Sequence, residues 1–300
     1  MIFFILVIIM LAILLWVSSL ISKRAVCPIV FSYKDMIDME EKSGRRVKST
    51  LDGLLKEEIF IKSPFGYTLH GMFIPVQNSK KTVIICHGIT CNIYGSVKYI
   101  DLFRKKGFNV FIYDHRNHGK SGGKFTTFGY YEKYDLKACA DWIRAKMGED
   151  CILGTMGESM GAATALQNLS VDDGLTFCIA DCPYSDFDEL LSLRLKIEFH
   201  LPRIPLIALA SLFCRYMTGM KVSEVSPIHD VNKSNTPVLF IHGDADNYIP
   251  MEMSIKLYNA KKGIKDIYIV KGARHAESIV VNKEEYDIRV SKFLMNIGVL

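Results

Sequence analysis

The sequence predicts an α/β fold, a mostly parallel central sheet with helices on both faces, preceded by one N-terminal transmembrane helix. Three observations carry this. From residue 82 onward, short apolar runs alternate with longer amphipathic stretches, the pattern of a parallel sheet covered by helices on both sides. The side chains able to do chemistry fall just after those runs, at His87, Ser159, Asp244, Asp246 and His275, where such sheets gather ligands. Ahead of them, Ile2 to Ile21 carries no charge and only Ser18 and Ser19 as polar side chains. As a helix this segment is about 30 Å long, enough to span a bilayer.

Residues 1–22 therefore read as a transmembrane anchor. A cleaved signal peptide would have a basic n-region, a shorter apolar core and an A-x-A-like site, and the segment has none of these. Lys23, Arg24 and Lys34 follow the helix, so the positive-inside bias puts the large domain in the cytoplasm. Residues 23–56 are charge-rich and read as a juxtamembrane stalk, with one short amphipathic helix from Tyr33 to Lys42.

A single domain is expected over 57–300. EEIFIKS and TLHGMFIPV, on either side of Phe65-Gly66, predict an antiparallel hairpin. The parallel strands are TVIICHG, NVFIYDH, CILGTMG, FCIADCP, PVLFIHG and DIYIVKG, with helices over 94–106, 129–147, 160–170, 251–262 and 282–297. One long connection interrupts this rhythm. It holds DFDELLSLRLKIEF and IPLIALASLFCRYMTG, divided by Leu201-Pro202-Arg203, and predicts a helical cap at about 184–235.

Composition narrows the function classes. With 300 residues, 49% hydrophobic and 23% charged, the chain can bury a large core. Its net charge of +5 comes from 37 basic residues scattered among 32 acidic ones, so no nucleic-acid footprint stands out, and a membrane surface suits the basic balance better. The eight cysteines sit mostly among apolar residues, as in FCIADC, and read as small buried hydrophobes instead of disulfides or zinc ligands.

The segment GTMGESMGAA, residues 154–163, is where chemistry concentrates. A serine hydroxyl is a poor nucleophile at neutral pH and needs a base, an acid to orient that base, and donors for a developing oxyanion. Here a buried strand runs directly into a small-residue helix start, and Gly157 and Gly161 leave room for the tight turn that lifts Ser159 above the sheet. YDHRNHGKSGG contains the GKS tail of a phosphate-binding loop. Its leading glycine is replaced by Asp114, which repels phosphate, so the segment reads as a turn, with Asn117 suited to a left-handed backbone and His115 and His118 as turn residues.

These segments resemble the α/β-hydrolase superfamily over about 57–300. CHGIT, YDHRNHGKSGG, GESMGAATAL and IADCPYSDFDE resemble bacterial membrane-anchored α/β hydrolases and, more distantly, the serine aminopeptidase and monoacylglycerol lipase group. The resemblance implies the triad order Ser, acid, His. It makes Ser159 the nucleophile and His275 the base, since only this one of eight histidines follows the candidate acids. The acid is Asp246, at the family's D-x-x-V/I-P position, with Asp244 as the neighbouring alternative. The backbone N–H groups of Ile89 and Met160 become the oxyanion hole, and His87 a structural residue.

No metal or organic cofactor is implied. The expected activity is hydrolysis of carboxylic esters by a membrane-tethered serine hydrolase, the apolar cap favouring small-molecule or lipid-like ester substrates and no nucleic acid. Two alternatives stand beside it, a peptidase or amidase using the same triad and a non-catalytic membrane-bound module with this fold.

Overall fold

The computed structural model describes residues 1–300. The first helices are α1 (Ile2–Val26), α2 (Tyr33–Lys42) and α3 (Val47–Leu51). Two strands follow, β1 (Glu57–Lys62) and β2 (Thr68–Ile74), then β3 (Lys81–Cys86), a 3-10 turn over Ile93–Tyr99, α4 (Ile100–Arg104) and β4 (Asn109–Tyr113). Next come α5 (Glu132–Met147), β5 (Ile152–Glu158), α6 (Met160–Asn168) and β6 (Phe177–Asp181). The long connection holds α7 (Phe187–Phe199), α8 (Leu206–Thr218) and the short α9 (Pro227–Asp230). The chain finishes with β7 (Val238–Gly243), α10 (Glu252–Ala260), β8 (Lys265–Val270), α11 (Ser278–Val281) and α12 (Lys283–Asn296).

All eight strands join one sheet in the order β1-β2-β4-β3-β5-β6-β7-β8. The hairpin edge pairs antiparallel, β1 with β2 and β2 with β4, and every other pairing is parallel. Alternation along the strands builds two cores. Val83 and Ile85 face one side with Phe103, Val290 and Phe293, while Ile84 and Cys86 face the other with Leu136, Ile143 and Leu166. The sheet is thus covered on both faces, as its near-continuous apolar strands require.

The charge-rich segment 23–56, expected as a stalk, lies against the domain. Met36, Val47 and Leu51 are buried, and Val47 and Leu51 join the same core as Val83 and Phe103. Ser32 caps α2 through the Asp35 N–H, and the Tyr33 hydroxyl donates to Asp114 at the end of β4. Charge on the outer faces of two short helices hid the few apolar residues that dock them.

α1 is the one helix long and apolar enough to cross a membrane. Its C-terminal half packs on the cap. Ser18, Ser22 and Val26 are buried, and the Ser22 hydroxyl lies 2.9 Å from the Ala210 carbonyl of α8. Small side chains at positions 18, 22 and 210 let the two backbones approach closely. Beyond the helix, Thr126 donates its N–H to the Val26 carbonyl and Phe31 donates to the Thr90 carbonyl, both at 2.9 Å.

Candidate active site

Ser159 stands between β5 and α6 with φ 56 and ψ −119, a backbone conformation that a residue with a Cβ adopts only when its surroundings impose it. Two glycines impose it. A Cβ on Gly161 would lie 2.1 Å from the Cys86 carbonyl oxygen, and one on Gly157 would lie 2.2 Å from the Gly161 oxygen. α6 therefore starts hard against the ends of β3 and β5, and the chain can turn only at Ser159.

Three side chains from three strand ends converge there. His275 Nε2 lies 2.9 Å from Ser159 Oγ, and His275 Nδ1 lies 2.7 Å from Asp246 Oδ2. With Nδ1–H donating to the carboxylate, the Nε2 lone pair is left to accept the serine proton. Asp246 Oδ1 accepts the N–H groups of Tyr248 and Ile249, both at 2.9 Å. Burial alone would raise the Asp246 carboxyl, but hydrogen bonds from His242 and His275, the His275 charge and the Ile249 N–H outweigh it and hold the group well below the usual carboxylate range. Asp244 is not part of this cluster; its carboxylate accepts the Gly272 N–H at 2.6 Å and stays exposed.

Sequence reasoning missed the groups behind this cluster. His242 Nε2 lies 2.8 Å from the Ile249 carbonyl and 3.2 Å from Asp246 Oδ2, while Nδ1 meets Ser254 Oγ at 2.7 Å. Its Nε2 proton faces two acceptors, which fixes the ring beneath Asp246. The Lys98 side chain is only 8% exposed, pairs with Glu158 at 2.5 Å and donates to the Ala276 carbonyl at 3.2 Å, tying the residue before Ser159 to the residue after His275. Neither signal is visible in sequence, where Lys98 resembles any charged position of an amphipathic stretch.

Asp181 completes this layer. Its carbonyl accepts the Ser159 N–H at 2.8 Å, and its carboxyl accepts Ser278 Oγ at 2.8 Å and Tyr286 OH at 3.0 Å. Burial, with Glu158 nearby, pushes this carboxyl up to about 6. The unfolded value is about 3.9, so the folded chain binds the proton more tightly. That stabilisation is complete below pH ~4 and is lost as pH rises through about 6. Asp181→Asn is expected to flatten this fall in stability, read as denaturation midpoints at several pH values between 4 and 8. An unchanged slope would show that Asp181 does not titrate in this way.

The loop carrying Ile89 runs beside Ser159, since a Cβ on Gly88 would lie 3.6 Å from Ser159 Cβ. Met160 opens α6, whose N-terminal N–H groups and dipole favour negative charge. His87 Nε2 accepts the His115 N–H at 3.0 Å and its Nδ1 lies 2.7 Å from the Gly88 oxygen, so the ring props the loop; burial lowers its pKa far below the ordinary range. The GKS segment is a turn built around Asp114, which accepts N–H groups from Ile93 and Lys120. Gly119 is required there because a Cβ would lie 2.2 Å from the Asp114 carboxyl, and Asn117 takes φ 63.

Cys182, one residue past β6 at φ 47, places its sulfur within 4.8 Å of ligand atoms of Asp246 and His275. This donor set suits a metal poorly. Burial and the neighbouring Asp181 raise the thiol well above its ordinary range, keeping it neutral, and the Asp246 oxygens already face four donors.

A cavity of about 700 Å³ opens beside this cluster, lined by Ile89, Phe128, Phe187 and Tyr248 and by residues of α1 and α7. The Tyr248 ring centroid is 5.1 Å from that of His275. A wider cleft of about 870 Å³ lies between α7 and α10, next to Lys196, His200 and Lys256, and borders none of the five predicted site residues.

Fold and site together define a hydrolase of the α/β class. Residues 81–204 match the family model described as alpha/beta hydrolase fold, and the chain is 39% identical to YqkD of Bacillus subtilis (strain 168) over 95% of its own length and 98% of that protein's. The chain belongs to the α/β-hydrolase superfamily. It is also 26% identical to YfhR of Escherichia coli (strain K12), over 74% of each chain. Among solved structures it is similar to the Pyrococcus furiosus esterase Pf2001, with a TM-score of 0.66 and 29% identity, covering 81% of this chain and 91% of that one.

Proposed function

We propose that this hydrolase cleaves carboxylic esters by acyl transfer to Ser159 while tethered to a membrane by α1. The hydrogen-bonded run from Ser159 through His275 to Asp246 carries the reading. Ser159 Oγ attacks the ester carbonyl as its proton passes to His275 Nε2, and the oxyanion is received by the backbone N–H groups of Ile89 and Met160. Collapse breaks the bond to the leaving alcohol, which takes the proton from His275. Water then attacks the acyl-enzyme, again giving its proton to His275, and the acid leaves as Ser159 recovers its hydrogen. Asp246 holds the imidazole in the needed tautomer and balances its transient positive charge. The name of the similar Pyrococcus furiosus protein, an esterase, agrees with an ester substrate.

Retention of α1 is supported by its packing, because cleavage after residue 22 would strip Ser22 from Ala210 and Leu14, Val17 and Ile21 from Leu206 and Ile207 of the cap. Lys23 and Arg24 at its end favour a cytoplasmic catalytic domain. Covalent labelling with a fluorophosphonate probe tests the catalytic reading. The unsubstituted chain is expected to label and Ser159→Ala to remain unlabelled; a chain that never labels, or labels equally after the substitution, overturns it.

A further inference from the structure

The cavity beside the triad has a wall that a soluble hydrolase cannot supply. Val17, Leu20, Ile21 and Ala25 of α1 line it, facing Leu191 and Leu195 of α7. Its length along α1, from Ala25 near the Ile89 loop to Val17, is eight residues, or about 12 Å. The cavity thus runs parallel to the anchor, away from Ser159 and toward the membrane end of the helix. Its volume of about 700 Å³ falls within the range of roughly 300–1,000 Å³ typical of small-molecule sites.

The depth of the domain follows from the same helix. Leu14 already packs with Leu195, Leu206 and Ile207 of the cap. Only residues 2–13 of α1 are then free of the domain, about 18 Å of helix against a hydrocarbon core of about 30 Å. If α1 spans, α7 and α8 must sink into the near leaflet with it. Along and between these helices, Ile204 is 78% and Leu212 63% exposed, and Ile197 and Phe199 are about half exposed, apolar surface that suits that medium. Lys23, Arg24 and Arg194 border the same cavity and place cations at headgroup level.

We propose that the cavity between α1 and α7 holds one acyl chain of a bilayer lipid ester, which enters sideways from the leaflet and lies alongside the anchor with its carbonyl at Ser159. The lipid keeps the orientation it had in the membrane, and α1 is a wall of the substrate site as well as a tether. This rests on the acyl-transfer reading of Ser159.

The test uses the full chain in phosphatidylcholine vesicles and an alkyl fluorophosphonate bearing a diazirine at the end of a long chain. Ser159 Oγ displaces fluoride from phosphorus, and irradiation then marks whatever the chain tip touches. Crosslinks are expected on residues 17–25. Labelling at Ser159 with crosslinks confined to the outer cleft near Lys196 and His200 overturns the proposal, and absence of labelling at Ser159 overturns the underlying catalytic reading instead. Ile21→Trp, which fills the cavity, is expected to lower the ratio of nitrophenyl laurate to nitrophenyl acetate turnover at least tenfold. An unchanged ratio counts against the cavity, and the crosslink is read on the unsubstituted chain whether or not the variant folds. In the last arm, acyl release from an ester-linked lipid already embedded in the vesicle is expected. Cleavage of nitrophenyl laurate without such release overturns the bilayer as the source.

Discussion

His275→Ala is expected to lower kcat for nitrophenyl butyrate hydrolysis by about 10⁴-fold or more, with the folded structure retained. The imidazole is the only group within hydrogen-bond reach of Ser159 Oγ on the acid side of the site, and its removal leaves the hydroxyl without a proton acceptor. Asp246→Asn is expected to act nearly as strongly for a different reason. The side-chain oxygen would keep accepting the Tyr248 and Ile249 N–H groups, turning the amide NH₂ toward His275 Nδ1. That donor forces the ring proton onto Nε2, where it faces Ser159 instead of receiving from it. Steady-state kinetics on both variants, with circular dichroism as the folding control, checks the expectation. A loss under tenfold for His275→Ala would remove the histidine from the mechanism.

The second large effect is on the fold. Gly161→Ala puts a methyl 2.1 Å from the Cys86 carbonyl oxygen and 2.6 Å from that of His87, both backbone atoms at the C-terminal end of β3. No side chain can swing away, so α6 has to lift from β3 and β5. A loss of about 3 kcal/mol or more is expected, read as a shift in denaturation midpoint. Full stability with intact probe labelling would mean that the helix does not sit as close to the strand as described.

Much of this architecture was legible in the chain. The β3 to β8 strands lie where apolar runs end at chemically capable residues, and the gap between β6 and β7 holds two apolar helices. Ser159, Asp246 and His275 were readable because strand ends share one edge of a parallel sheet, so three distant positions are neighbours by topology. What stayed hidden depends on contacts that no local pattern encodes. Lys98 meets Glu158 across sixty positions of sequence, and a buried lysine looks like an exposed one until its partner is known. Ser22 meets Ala210 across 188 positions, and nothing in an apolar helix marks the face that another helix will cover. The segment from 23 to 56 was obscured in the opposite way, since its composition is that of a solvated linker while Met36, Val47 and Leu51 suffice to dock it.

Ser159 is held at φ 56, a conformation that opposes folding by about 1–3 kcal/mol for any residue with a Cβ. Glycine alone escapes that opposition. A glycine at position 159 would therefore relieve the backbone and remove the hydroxyl that faces His275 in the same step.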